Sequence, residues 1–194
     1  MILVIDTSSA KSALALVEGD TVLTELLADS GRTFDTGSAA SQLLGPNVPN
    51  LSAVAIALGP GSFTGVRSGI SFGLGLALGL RVPLLGLGTL ELVRARAPQP
   101  VTALSEAGRG RVYYLAPDGR TGIGEAIEIP AEWPLAGWTR PATTAGLLAA
   151  GHTILEEARL LSFGGAAATM VEGAQRVAYD RVKPVYMSPF GGLV

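Results

Sequence analysis

The sequence predicts an α/β protein with a mixed sheet, and three observations carry that expectation. Short aliphatic runs open the chain and recur at 51–58 and 84–87. An apolar, glycine-rich segment at 66–80 has helical period, and a further helix-like stretch follows at 89–97. Strand followed by helix therefore occurs twice in the first half, the pattern of a layered α/β chain.

Each element follows from its residues. Ile2 to Ile5 reads as a first strand, Ala13 to Val17 as a second after DTSSAKS, Gly19-Asp20 as a turn and Thr21 to Leu27 as a third strand. Together they make a meander. Residues 28–50 are small and polar, with a short helix around Thr36 to Leu44 that Gly45-Pro46 ends. Leu51 to Leu58 reads as a buried strand, GPGSFTG at 59–65 as a turn, and Val66 to Leu80 as a helix closed by Arg81 and Pro83. Leu84 to Leu87 is a short strand, and Thr89 to Ala97 a helix capped by Thr89, with Glu91 in its first turn.

The APQP stretch at 97–100 marks a lobe boundary, dividing residues 1–97 from 98–194. Past it, Val101 to Leu104 and Val112 to Leu115 form a hairpin pair and PDGR at 117–120 a turn, and 130–141 is irregular. Helices at Thr143 to Ala150 and Gly165 to Glu172, with a strand at Arg159 to Phe163 between them, complete the expectation.

Composition excludes several function classes. The 194 residues fit one domain or two small lobes, and 14 Lys plus Arg against 16 Asp plus Glu, with no block of one sign, give no electrostatic footprint for nucleic acid or an anionic membrane. The absence of cysteine removes disulfides, thiolate nucleophiles and zinc–cysteine sites. MILVIDTSS lacks the basic start and long apolar region of a signal peptide, so the expected location is cytoplasmic. Ser68 to Leu80 carries no charge but falls short of the roughly 20 residues a spanning helix needs, so no membrane partner is expected.

Three stretches carry chemistry. Asp6, Thr7, Ser8 and Ser9 lie at the end of the first strand, where hydroxyls and amides suit either a phosphate or a plain turn. In GPGSFTG, Gly61, Ser62, Thr64 and Gly65 precede a helix N-terminus, which favours anions, but the Walker and dinucleotide patterns are absent and Ser62 or Thr64 equally suits a helix cap. Within the helix, Gly65, Gly69, Gly73 and Ala77 form a small-residue groove beside a ridge of Val66, Ile70, Leu74 and Leu78. Interior glycines cost about 1 kcal/mol each relative to alanine, so close approach must offset them, from a partner helix or from the chain's own interior. His152 is the sole histidine and Glu156-Glu157 reads as a helix-face pair; Gly-x-Ser-x-Gly is not met, which disfavours a hydrolase.

ILVIDTSSAKSALAL and IALGPGSFTGVRSGISFGLGLALGLRVPLLGLGTLE resemble the TsaB (YeaZ) family of bacterial tRNA threonylcarbamoyladenosine synthesis. EAGRGRVY from Glu106 to Tyr113 and the Pro184 to Tyr186 stretch are similar to two further family segments. The resemblance implies an actin-like/Hsp70-like ATPase fold of two lobes, each with a mixed sheet flanked by helices. It also implies a non-catalytic paralogue of TsaD, because the partner's His-x-x-x-His metal motif cannot be built from one histidine.

The implied function is a scaffold that binds a TsaD-type catalytic subunit, together with a TsaE-type ATPase, for threonylcarbamoylation of adenosine 37 in tRNAs reading codons that begin with A. A homodimer is the alternative assembly, and tRNA contact is indirect. The implied interface is Gly65, Val66, Gly69, Ile70, Gly73, Leu74 and Ala77, so that leucine at 69 or 73 blocks association while the monomer stays folded. No cofactor or metal is expected in this chain, with ATP or ADP reserved for a joint interface. Two other readings are a nucleotide-binding ATPase using Asp6, Thr7, Ser8, Gly61, Ser62 and Thr64, and a peptidase. For the first, the fold's nucleotide loop wants glycine where Ser8 stands; for the second, the chain offers neither metal ligands nor a triad. Met187-Ser188 stands where the family has Leu-Arg, and Glu106, Gly108 and Arg111 replace its Asp, Arg and Glu.

Overall fold

A computed structural model describes residues 1–31 and 34–187; Ser188 lies outside them. β1 (Ile2–Asp6), β2 (Lys11–Glu18) and β3 (Thr21–Asp29) form the expected antiparallel meander, with a bulge in the pairing of β2 with β3 at Leu16/Val17. β4 (Ala53–Ala57) runs parallel to β1, and β5 (Leu84–Leu87) parallel to β4. Both are fed by crossover helices, as parallel pairing requires. β6 (Thr102–Gly108), β7 (Arg111–Leu115), β8 (Thr121–Gly124) and β9 (Leu135–Ala136) make a second sheet in the order β8-β7-β6-β9. β10 (Gln175–Arg176) returns to the first sheet, whose order is β10-β5-β4-β1-β2-β3.

Helices cover the first sheet on both faces. α1 (Thr36–Leu44) is capped by Asp35, whose carboxylate accepts from the amides of Gly37 and Ser38. With α2 (Phe63–Leu80) it covers the face formed by Leu3, Ile5, Leu14, Leu16, Val54 and Ile56. The opposite face, with Val4, Ala13, Ala15 and Ala55, meets α3 (Thr89–Arg96) through Leu92 and α5 (Phe163–Val171) through Phe163, Ala167 and Ala168. α3 also packs Leu90 and Val93 against Val101 and Ala103 of the second sheet region. α4 (Pro141–Ala149) closes the second sheet's other face through Leu147. A tryptophan adds to the packing between the halves. Trp138, 7% exposed, leaves the second sheet and packs on Phe163 in the first sheet's core, with ring centroids 6.3 Å apart.

Several expectations need correction. The strand at Arg159 to Phe163 does not form: Glu157–Arg159 is a 3-10 turn, and Phe163 begins α5 behind the Ser162 cap. Glu156-Glu157 is therefore no helix-face pair. Gly88, not Thr89, occupies the N-cap of α3. α2 starts at Phe63 because Ser62 caps it, and its 18 residues are long and apolar enough to cross a membrane by length and composition. Its apolar stripe is instead laid on the chain's own sheet.

Candidate functional site

The end of β1, the 59–65 loop and the start of α2 meet at one point. The Ser8 amide donates to Asp6 Oδ1 at 2.8 Å, forming the expected local turn. The Ser62 amide donates to the Ser8 carbonyl at 2.6 Å, and the Gly65 amide to Ser62 Oγ at 3.0 Å. Thr7 Oγ1 donates to the Gly65 carbonyl at 2.7 Å, while Ser8 Oγ and Thr89 Oγ1 share a hydrogen bond at 3.1 Å. Two amides that a phosphate would use are thus bonded inside the chain. Gly59-Pro60 is a cis peptide, and the Val185 amide donates to Leu58 O at 2.7 Å from across the loop.

Glycine is required here for close approach. A Cβ at Gly61 would strike the Ser8 carbonyl, and one at Gly65 the Thr7 carbonyl. The structure brings Asp6, Thr7, Ser8, Gly61 and Ser62 together as the sequence predicts, with Thr64 exposed beside them. It does so by packing backbone on backbone, with Gly61 and Gly65 against the Ser8 and Thr7 carbonyls. Burial holds the Asp6 carboxyl above its ordinary value, against hydrogen bonding from Ser8 that acts to lower it.

The small-residue groove faces inward. A Cβ at Gly69 would lie 2.6 Å from Thr7 Oγ1, and one at Gly73 would strike Ile56. Val66, Ile70 and Ala77 are buried in the same core, and Leu74 is half-buried against it. Gly65, Val66, Gly69, Ile70, Gly73 and Ala77 thus seat α2 on β1 and β4 within the monomer. Glycine at these positions lets the helix lie close to the sheet.

The opposite side of α2 is the open one. Thr64, Arg67, Ser68, Ser71, Gly75, Leu78 and Gly79 are exposed, and nothing lies within 4 Å of a Cβ built at Gly75 or Gly79. Leu78 is 48% exposed and Phe63 59%. Arg67 is the only charge in α2. Its carbon Cζ lies 3.6 Å from the centroid of the Phe63 ring, and its Nε donates to the Tyr186 hydroxyl at 3.0 Å. Sequence reasoning passes over this cluster, although Phe63 and Arg67 stand inside the GPGSFTGVR stretch and Tyr186 inside the Pro184 to Tyr186 stretch, because nothing local links positions 119 residues apart.

Two further buried polar groups are structural. Glu106 accepts from the Arg140 amide and Thr143 Oγ1, each at 3.0 Å, and so caps α4. His152 Nε2 donates to the Ala126 carbonyl at 2.8 Å. Between the sheets, Arg96 pairs with Glu157, donates from Nε to Leu161 O at 2.9 Å and lies 4.5 Å from the Trp138 ring centroid. Ser9 Oγ donates to Trp138 O at 2.6 Å, and Trp138 Nε1 to Glu157 at 3.1 Å.

Residues 38–176 match the family described as TsaD, tRNA N6-adenosine threonylcarbamoyltransferase. A Bacillus subtilis protein named tRNA threonylcarbamoyladenosine biosynthesis protein TsaB is 30% identical over 145 residues, covering 71% of this chain and 63% of that protein. Its Escherichia coli namesake is 40% identical over 75 residues, 36% of this chain and 32% of that one. The matches thus span less than two thirds of these relatives' length. YeaZ from Pseudomonas aeruginosa superposes with a TM-score of 0.72 at 21% identity, covering 96% of this chain and 99% of that chain. A protein described as similar to peptidase YeaZ from Pseudomonas aeruginosa gives 0.74 at 23%, with the same coverage. The two helix-flanked mixed sheets are accordingly an actin-like/Hsp70-like fold.

Proposed function

The chain belongs to the TsaB (YeaZ) family, and on that premise we propose that it is a non-catalytic subunit that binds a TsaD-type threonylcarbamoyltransferase and supports its work on adenosine 37 of tRNA. One observation carries the docking part of this reading: the outward side of α2 is small, uncharged apart from Arg67, and open above Gly75 and Gly79. A helix with such a surface admits another helix at short interaxial distance. The opposite side packs on β1 and β4, so this surface faces away from the core.

The reading asks for no nucleotide in this chain. Supporting that, Ser62 and Gly65 spend their amides on Ser8 and Ser62 itself, and the chain has one histidine, engaged at Ala126. The subunit's contribution is binding and positioning of its partner. Tested by co-purification with the TsaD-type protein of the same organism and a threonylcarbamoyl-transfer assay on tRNA, the wild-type chain is expected to form a complex and raise activity. Gly75→Leu, which meets open space in the monomer, is expected to lose both while keeping or raising its melting temperature. A complex formed equally well by Gly75→Leu removes α2 as the docking element.

A further inference from the structure

We infer that Arg67 is a preorganised receptor for a carboxylate, and that the partner seated on α2 presents an Asp or Glu side chain to it; this rests on the docking reading above. An exposed arginine ordinarily pays rotamer entropy to form an ion pair, which leaves most surface pairs weak. Arg67 has paid much of it already. Its guanidinium lies on the Phe63 ring at 3.6 Å, and its Nε is tied to the Tyr186 hydroxyl at 3.0 Å. The Phe63 and Tyr186 rings are themselves stacked, with centroids 6.1 Å apart and planes 26° apart. The plane of the fork is therefore fixed, and among the described residues its two terminal nitrogens have no hydrogen-bond partner.

Among the described residues no carboxylate lies within 4.0 Å of Arg67. A fixed, unpaired fork matches the two oxygens of a carboxylate with parallel hydrogen bonds. The setting favours a protein carboxylate over a nucleic-acid phosphate. Arg67 is the one charge on a helix face otherwise made of Ser68, Ser71, Gly75 and Leu78, and the chain carries a net charge of −2 with no basic block beside it. Tyr186 and Arg67 are also residue types that anchor protein interfaces, and Phe63 is of a type enriched at their cores. Phe63 and Tyr186 act here as positioning residues.

The test is the dissociation constant of the complex with the TsaD-type protein, measured over a range of KCl for wild type, Arg67→Met, Arg67→Lys and Tyr186→Phe, with melting temperatures alongside. Arg67→Met should weaken binding about tenfold or more at low salt and flatten its salt dependence. Arg67→Lys should keep the salt dependence and recover only part of the affinity, and Tyr186→Phe should weaken binding a few-fold at unchanged charge. A merely structural Arg67 would shift melting temperature and leave the salt dependence alone. If the wild-type complex forms and Arg67→Met matches it at every salt concentration, the carboxylate receptor is overturned while the docking reading stands. Failure of the wild-type chain to bind at all overturns both. If Arg67→Met lowers tRNA retention by the complex but not its affinity, the ligand is a phosphate and the proposal is wrong.

Discussion

Two glycines on one helix should respond in opposite directions to a larger side chain. Gly69→Leu drives a Cβ to 2.6 Å from Thr7 Oγ1 and its branches into β1, so it should destabilise the monomer by about 1–3 kcal/mol or more through overpacking. Gly75→Ala meets nothing within 4 Å and should gain up to about 1 kcal/mol of helix propensity. Thermal denaturation of the isolated chain reads both. Asp6 provides a pH-dependent counterpart. Its folded carboxyl is held above the ordinary 3.8 chiefly by burial, so the fold favours the protonated form, and the stability this contributes is lost as pH rises through the raised value. Wild type should therefore lose ground to Asp6→Asn in urea denaturation as pH rises above the ordinary carboxylate value; a constant difference would refute the burial argument. The small-residue spacing was legible in the sequence, but which side it faced was not. Gly65, Gly69, Gly73 and Ala77 make one stripe, Ser68, Ser71, Gly75 and Gly79 nearly the opposite one, and periodicity alone assigns neither to the sheet.

At the scale of elements, what the chain announces locally it also forms. β5 matches Leu84 to Leu87 and α1 matches Thr36 to Leu44, because a β-edge Pro83 and a Gly45-Pro46 stop are punctuation within a few residues. Misses arose where distant partners decide. Phe163 looked like the end of a strand, yet its ring is wanted in the core against Trp138, and Ser162 supplies the cap that starts α5. β9, two residues long, exists because Leu135 and Ala136 pair with Thr102 and Ala103 on β6, a fact no window of residues contains. Trp138→Ala tests the joint between the sheets. It removes a side chain that fills the first core, covers Arg96 and binds Glu157, and should cost about 3–5 kcal/mol by equilibrium unfolding. A change under about 1 kcal/mol would mean Trp138 is not a structural joint.

Across the whole molecule, the division at 97/98 falls between α3 and β6 but separates neither the first sheet's strands nor the packing. α5 and β10, drawn from the second half, complete the first sheet's layers, and the 177–185 segment runs back along it, with the Val177 amide on Leu84 O at 2.9 Å and Val185 on Leu58 O at 2.7 Å. Unfolding should therefore be one cooperative event. Tryptophan fluorescence and far-UV circular dichroism should give coincident denaturant transitions, whereas separated midpoints would show halves that melt independently. The order β10-β5-β4-β1 also sets a timetable for synthesis. A nascent chain delivers β1 to β5 and α3 early, but the part of the face that α5 covers, at Ala13 and Ala15 of β2, stays bare until α5 has left the ribosome, and β5 keeps an open edge until Gln175 and Arg176 have followed. At about 5–20 residues per second, that is a window of several seconds in which an apolar sheet face and a free strand edge invite chaperones or misassociation.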